Sequence, residues 1–418
     1  MTDVGHLLEH LFRRQSGQIV ATLTRAIGAR HLALAEEAVQ DALVTALQQW
    51  PYRGVPDDQA GWLFRVARNR ALDRLRHLKI VADKVPALTG MYEQRPDEAR
   101  DPRLAGELPP VDDDQLAMMF LTCHPVLPRE ARVALTLKLV GGFGVGEIAR
   151  AFLVQESAVA QRLVRAKRVL REKDLPFGPP VPAALADRLD SVLESVYLMF
   201  NEGYAATAGD VLVREDISAE AIRVAALLTR HPVTAVPRAW ALLALLLLHA
   251  ARFRSRCGSD GELYLLRDQD RTLWDRALIS EGLRALDRAG AGDVISTYHL
   301  EAEIAACHAI ATAWTDTDWP RILRCYDQLV ELTGSPIVAL NRAIATARVA
   351  GVRAAIPDLE ALGSHAALKG YHLLPAVLAE MWREVGDVDR ATRHYREALA
   401  LVVTGPERRF LTARLDAL

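Results

Sequence analysis

The chain has 418 residues, half of them hydrophobic, 6% aromatic and 25% charged, with a formal net charge of −2. That length exceeds one ordinary core and predicts two to four domains. Ala, Leu, Arg, Glu and Asp dominate in helix-periodic runs with few alternating strand-like stretches, which predicts an all-α chain.

The near-zero net charge conceals an uneven distribution. Residues 1–80 carry 11 Lys/Arg against 8 Asp/Glu, 81–114 carry 4 against 9, and 115–175 carry 10 against 5. Two basic blocks around an acidic link is the pattern of a nucleic-acid-binding protein. Cys123, Cys257, Cys307 and Cys325 form no CxxC pair, so no disulfide framework or zinc site is expected and buried thiols in a reducing cytoplasm are. The first ten residues lack a basic start followed by an apolar run, so no signal peptide is expected. The most apolar stretch, Ala239 to Ala251, is too short to span a bilayer and predicts a buried helix.

In chain order, Leu7 to Ala29 carries Leu7, Leu8, Leu11, Phe12, Ile19, Val20, Leu23 and Ile27 at helical spacing, with Gly28 as punctuation. Within it, His6-Leu7-Leu8-Glu9-His10 matches the HxxEH zinc pattern. With no third ligand and a position at the first turns of the chain, two half-exposed histidines are expected instead. A second helix follows from Leu34 to Leu47, with Leu34, Ala38, Ala42 (or Val39, Leu43) and Leu47 inward, and Glu36, Glu37, Gln40 and Asp41 on the polar face. Pro51 and the Gly54/Pro56 region end it.

The third helix runs through Gly61-Trp62-Leu63-Phe64-Arg65-Val66-Ala67-Arg68-Asn69-Arg70-Ala71-Leu72-Asp73-Arg74-Leu75-Arg76. Phe64, Ala67, Ala71, Leu75 and Leu78 form one apolar stripe. Arg65, Asn69, Asp73 and Arg76 lie opposite, while Arg70 and Arg74 flank the stripe and are expected to pair with acids of the preceding helix. The cations therefore occupy two faces, and one of them can meet a polyanion. Residues 81–114, with five prolines and an excess of acid, read as an extended linker, with helices resuming near Leu116.

Val145 to Phe152 and Glu156 to Arg171 have the spacing of a helix-turn-helix. Small Ala149 sits where the helices cross, Ile148 and Phe152 lie behind it, and Val159 and Leu163 pack the second helix. Leu153 stands where a turn glycine is usual. The outer face of the second helix offers Glu156, Ser157, Gln161, Arg162, Arg165 and Arg168, types that reach base edges or neutralise phosphates.

Pro176 to Pro182 is a stiff hinge. Beyond it, Gly386, Ala391, Tyr395 and Ala398, with Leu378, Ala379 and Trp382 before them, fit a tetratricopeptide hairpin. Asp318, Ile322, Tyr326, Leu329 and Leu332 repeat the second-helix positions upstream, and a degenerate copy is expected around Gly351. Residues 297–418 are thus expected to form about three stacked hairpins. The stretches Tyr197 to Tyr204 and Asp268 to Asp275 read either as a ligand or intramolecular contact site or as capped helix ends with core aromatics.

The segments Ala35 to Asp41 with Trp62 to Arg76, and Glu147 to Val154 with Ala160 to Lys167, resemble regions 2 and 4 of bacterial extracytoplasmic-function sigma factors. The match covers about residues 5–175, and the whole chain resembles the subgroup with a fused TPR-like C-terminal domain. The resemblance implies a region 2 helical bundle (1–80), the linker (81–114), a region 4 helix-turn-helix bundle (115–175), a hinge (176–183) and a C-terminal helical-repeat domain (184–418). It implies docking on the RNA polymerase β′ clamp helices through Glu36, Glu37, Gln40 and Asp41, with further contact to the β subunit. It implies −10 recognition by Trp62, Arg65, Arg68, Asn69 and Arg76, −35 recognition by Glu156, Ser157, Gln161, Arg162, Arg165 and Arg168, and a linker threaded through the polymerase channel. Melted bases can stack on aromatic or Arg planes, although Phe64 also belongs to the core stripe. A protein or small ligand at the C-terminal domain, modulating the rest in cis, is the remaining expected partner. No membrane association, cofactor, metal or enzymatic activity is expected, since no Gly-rich phosphate loop or nucleophile elbow is present. Two other readings stay open: a helix-turn-helix regulator that acts without core polymerase, and a TPR-type scaffold.

Overall fold

The computed structural model describes residues 4–77, 110–152, 154–178, 180, 182–204, 215–256, 264–402 and 404–418; within these, only the backbone is described for 4–15, 76–77, 110–113, 150–151 and 182–183. All regular structure among the described residues is helical. The linker 81–109, Leu78, Leu153 and Cys257 lie outside the described residues, as do the side chains of His6, Glu9, His10 and Arg76. None of the described helices is long and apolar enough to cross a membrane.

The packing divides the chain into two units, Met1–Met199 and Phe200–Leu418. In the first, α1 (Val4–Ile27), α2 (Leu32–Arg53) and α3 (Gln59–His77) pack pairwise into a bundle. Its core holds Leu23, Ile27, Ala35, Ala42, Leu63 and Leu75, each at most 2% exposed. One sequence expectation fails here, and a second holds at Gly54 but not at Pro51. Leu47 is 51% exposed, and α2 runs past Pro51 to Arg53, where Gly54 at φ +84° ends it. A proline in a final turn costs the helix one hydrogen bond but need not stop it, whereas the left-handed glycine does.

Helices α4 (Pro110–Thr122), α5 (Arg129–Leu139), α6 (Val145–Phe152) and α7 (Glu156–Glu172) follow. The sequence places the start near Leu116, but α4 begins at Pro110, suited to a helix N-terminus by its fixed φ and missing N–H. Asp114, assigned to the linker, is 3% exposed. It accepts from Thr22 Oγ1 at 2.7 Å and pairs with Arg25, which ties α4 to α1. The close approach of α1 to α5 depends on Gly17: a Cβ there would lie 2.7 Å from the Val140 carbonyl oxygen.

The second boundary also moves. Helix α8 (Pro182–Tyr204) carries its first residues in the first unit. Ser191 donates to the Cys123 carbonyl, and buried Arg132 bonds Ser191 and, at 3.2 Å, Glu194. The unit therefore extends beyond the proline hinge to Met199, because these contacts satisfy polar groups that would otherwise be buried without partners.

In the second unit, α9 (Glu215–Arg230) and α10 (Pro237–Ala250) precede the short α11 (Phe253–Arg256), α12 (Arg276–Ala289) and α13 (Thr297–Ile310). Helix α10 is the expected buried helix, with Leu242 to Leu248 all at most 4% exposed. The stretch Asp268 to Asp275 forms caps and core. Asp270 accepts from the Thr272 amide, Asp275 from those of Ala277 and Leu278, and Trp274 is 2% exposed. Arg256 stacks over the Tyr204 ring at 3.8 Å, and Phe200 stacks on Tyr204. Capped ends and a core aromatic describe Asp268 to Asp275, whereas Tyr197 to Tyr204 ends in an intramolecular contact with Arg256.

The remaining helices are α14 (Trp319–Thr333), α15 (Pro336–Ala350), α16 (Val352–Leu362), α17 (Leu373–Val385), α18 (Val388–Leu401) and α19 (Gly405–Asp416), each packed on the next. The three helices α14, α16 and α18 have Asp318, Gly351 and Asp387 as N-cap residues, and four residues on, each has a fully buried residue: Ile322, Ala355 and Ala391. Asp318 and Asp387 cap by accepting from Arg321 and Arg390 amides. Gly351 replaces the carboxylate with a left-handed glycine, φ +92°, which is why that copy is degenerate in sequence. Leu332, aligned with Leu401 in the repeat, is 57% exposed at the end of α14. Cys123, Cys307 and Cys325 are buried free thiols; burial pushes all three above the ordinary thiol value, Cys325 to about 12.

Candidate nucleic-acid and polymerase interface

Helix α7 presents two faces. Val159, Leu163, Ala166 and Leu170, at most 3% exposed, form the buried stripe at helical spacing. Opposite them, Glu156, Ser157, Gln161, Arg165 and Arg168 are exposed, and Arg162 is half-buried. Helix α6 holds the back of α7 through Ile148 and Ala149, both buried as expected, while Phe152 is half-buried. The turn is closed by the Val154 amide donating to the Ala149 carbonyl at 3.0 Å, and Gln155 enters α7 in extended conformation. The Glu147 carboxylate accepts from the Gly144 amide at 2.7 Å and fixes the start of α6. A rigid helix with acceptors, amides and guanidinium groups on its outer face can enter a major groove.

Helix α3 has a different distribution. Arg65 and Asn69 are exposed, Arg68 and Trp62 half-buried. The Trp62 indole meets the buried Trp50 ring edge-on, with centroids 5.4 Å apart, so one part of it is held by the bundle. Phe64 is 9% exposed and packs in the core, as its place on the stripe requires. The Asp58 carboxylate accepts from the Gly61 amide at 2.9 Å and caps the helix entry. Arg74 pairs with Glu37 and, at 2.9 Å, with Asp41, as expected of a cation flanking the stripe; Arg70 is exposed.

The four polar groups of α2 do not share one solvated face. Glu37 and Asp41 share Arg74, and Gln40 is exposed. Glu36 departs from expectation: it is 8% exposed, paired with Lys167 of α7 and 3.7 Å from Lys138 of α5. Its helical position is polar by sequence, but the α5–α7 bundle lies over it and brings two ammonium groups that compensate the buried carboxylate. Nothing local to α2 signals this, because the partners stand more than 100 positions away.

Residues 11–79 match the family model for sigma-70 region 2, residues 117–170 match the model for sigma-70 region 4, and residues 188–290 match a family of unknown function, DUF6596. The chain is also 38% identical over 406 residues to an uncharacterized protein of Rhizobium meliloti (strain 1021), spanning 96% of this chain and 95% of that one. No solved structure matches. The region 2 match covers most of the α1–α3 bundle and the region 4 match most of α4 to α7, the two places where the sequence predicts groups that meet DNA. The chain therefore belongs to the sigma-70 family, as a sigma factor of the extracytoplasmic-function kind with a C-terminal helical extension.

Proposed function

We propose that this sigma factor acts as the promoter-specificity subunit of RNA polymerase by laying α7 in the major groove at the −35 element and holding melted −10 bases on α3. The observation that carries this is the exposed polar row of α7, Glu156 to Arg168, over a fully buried stripe. Arg65 and Asn69 on α3, with Trp62 and Arg68 beside them, supply backbone charge and planar surfaces for unstacked bases. Helix α2 docks on the β′ clamp helices through the face that bears Glu37, Gln40 and Asp41. Glu36 can join that contact only once α7 and its Lys167 have left α2, so docking and opening of the first unit are coupled. The helical extension modulates promoter activity in cis, since stacked hairpins make concave binding surfaces.

The test is run-off transcription with core RNA polymerase on genomic promoter fragments. Promoter-dependent transcripts that require this chain are expected. Their absence under every template and partner condition rejects the reading. Removal of the extension should change transcript yield while a core pull-down stays positive; loss of core binding would instead make the extension part of the docking surface.

A further inference from the structure

Within the second unit, α13 to α15, α17, α19 and the turn at Leu266–Asp268 line a half-open cavity of about 370 Å³. This lies within the size range of small-molecule sites. Its walls are mainly apolar. Trp314 and Trp319 meet edge-on with centroids 4.8 Å apart, and Tyr326 and Phe410 add two further rings. Such walls favour a flat, π-rich occupant.

Both guanidinium groups in the lining are paired with carboxylates. Arg267 pairs with Glu380 at 3.2 Å and with Glu384 at 3.3 Å, and Arg348 pairs with Glu384 at 2.9 Å. Glu380 also takes the Tyr395 hydroxyl at 2.6 Å and Arg383 at 2.9 Å. His372 faces Glu407 at 3.3 Å. No cation is left over to recruit an anion. His308, stacked on Trp314, is held neutral by burial and by the neighbouring Arg252 and Arg271, its pKa lowered to about 3. Three buried polar atoms of lining residues have no hydrogen-bond partner among the described residues: Arg348 Nε, His308 Nδ1 and His372 Nε2, the last of which keeps only its contact with Glu407. Buried groups of this kind are ordinarily satisfied, and an occupant with an acceptor oxygen would satisfy the Arg348 N–H.

We propose that this cavity is a binding site for an uncharged, planar aromatic small molecule bearing a carbonyl oxygen, which stacks between the tryptophan wall and Phe410 and accepts a hydrogen bond from Arg348. The site stands on the cavity itself and does not depend on how the extension affects transcription.

The probe is Nile red, a neutral planar aromatic ketone, titrated into the full chain and followed by its fluorescence. Saturable binding of one molecule per chain is expected. Ala376→Trp, which fills the cavity, should weaken it at least tenfold while the protein still melts cooperatively. If that variant does not fold, Ile344→Phe serves in its place. The sulfonated dye 1-anilinonaphthalene-8-sulfonate should bind at least tenfold more weakly than Nile red. Non-saturable Nile red binding, unchanged affinity in a folded cavity-filled variant, or tighter binding of the sulfonate would each overturn the proposal.

Discussion

Glu36 and Lys167 are separated by 131 positions and meet as a partly buried ion pair. Removing one partner of such a pair leaves the other charge uncompensated. Glu36→Ala should therefore destabilise the first unit by about 3 kcal/mol, the low end for buried pairs, because Lys167 can still turn to water. Urea unfolding reads this, and a change within about 0.5 kcal/mol, the scale of ordinary surface substitutions, would show that the contact is not made in solution. Arg165 tests the opposite face. Arg165→Ala should weaken −35 duplex binding at all sequences and lower the log-log salt slope by about 1, the signature of one lost phosphate contact. Anisotropy titrations across salt measure it; an unchanged slope would place Arg165 off the phosphates. In the second unit, His308 sets a pH dependence. Its folded pKa of about 3 lies below the ordinary 6.5, so the unfolded chain binds a proton that the folded one refuses between those values. The stability this histidine confers is complete above pH 6.5 and is lost as pH falls toward 3, at up to about 1.4 kcal/mol per pH unit. Buried His249 shifts in the same direction. Urea melts at pH 7.5 and 4.5 should show a smaller difference in His308→Gln than in the parent protein.

At the scale of elements, most of the helices were legible because amphipathic spacing and caps are local. The stripes of α3 and α7 sit where their periodicity places them, and Asp318 and Asp387 cap α14 and α18 in step with the repeat. Departures occur where an end or a face depends on another element. Leu47 is polar-side in fact although apolar in type, and α4 starts six residues before Leu116 because Asp114 finds Thr22 and Arg25 on α1. The contact of α1 with α5 gives a sharp test. A methyl at Gly17 would press on two backbone carbonyl oxygens, at 2.7 and 2.8 Å, which cannot rotate away. Gly17→Ala should cost about 1–3 kcal/mol by overpacking, despite the better helix propensity of alanine. A more stable variant in thermal melts would mean that α1 and α5 are not this close.

At the scale of the whole molecule, the division within α8 predicts how the chain can be cut. A fragment ending at Met199 keeps Ser191 and Glu194 on Arg132; one ending at residue 183 leaves that buried guanidinium without them. The longer fragment should unfold cooperatively, and the shorter should be less stable by about 3 kcal/mol. Equal urea midpoints and slopes for the two would move the boundary back to the proline hinge.

The sequence by itself determined the helical class, the region 2 and region 4 segments with their order, and the repeated hairpins of the C-terminal part. Each is written in short-range periodicity, caps and residue type, and the physics that forms them acts over a few residues. Only the tertiary structure decided that Glu36 lies buried under two lysines, that the first unit continues to Met199, and that paired charges border an aromatic pocket in the second. Those features rest on Coulomb pairing and desolvation between groups far apart in the chain, and such energies depend on distances that no local pattern records.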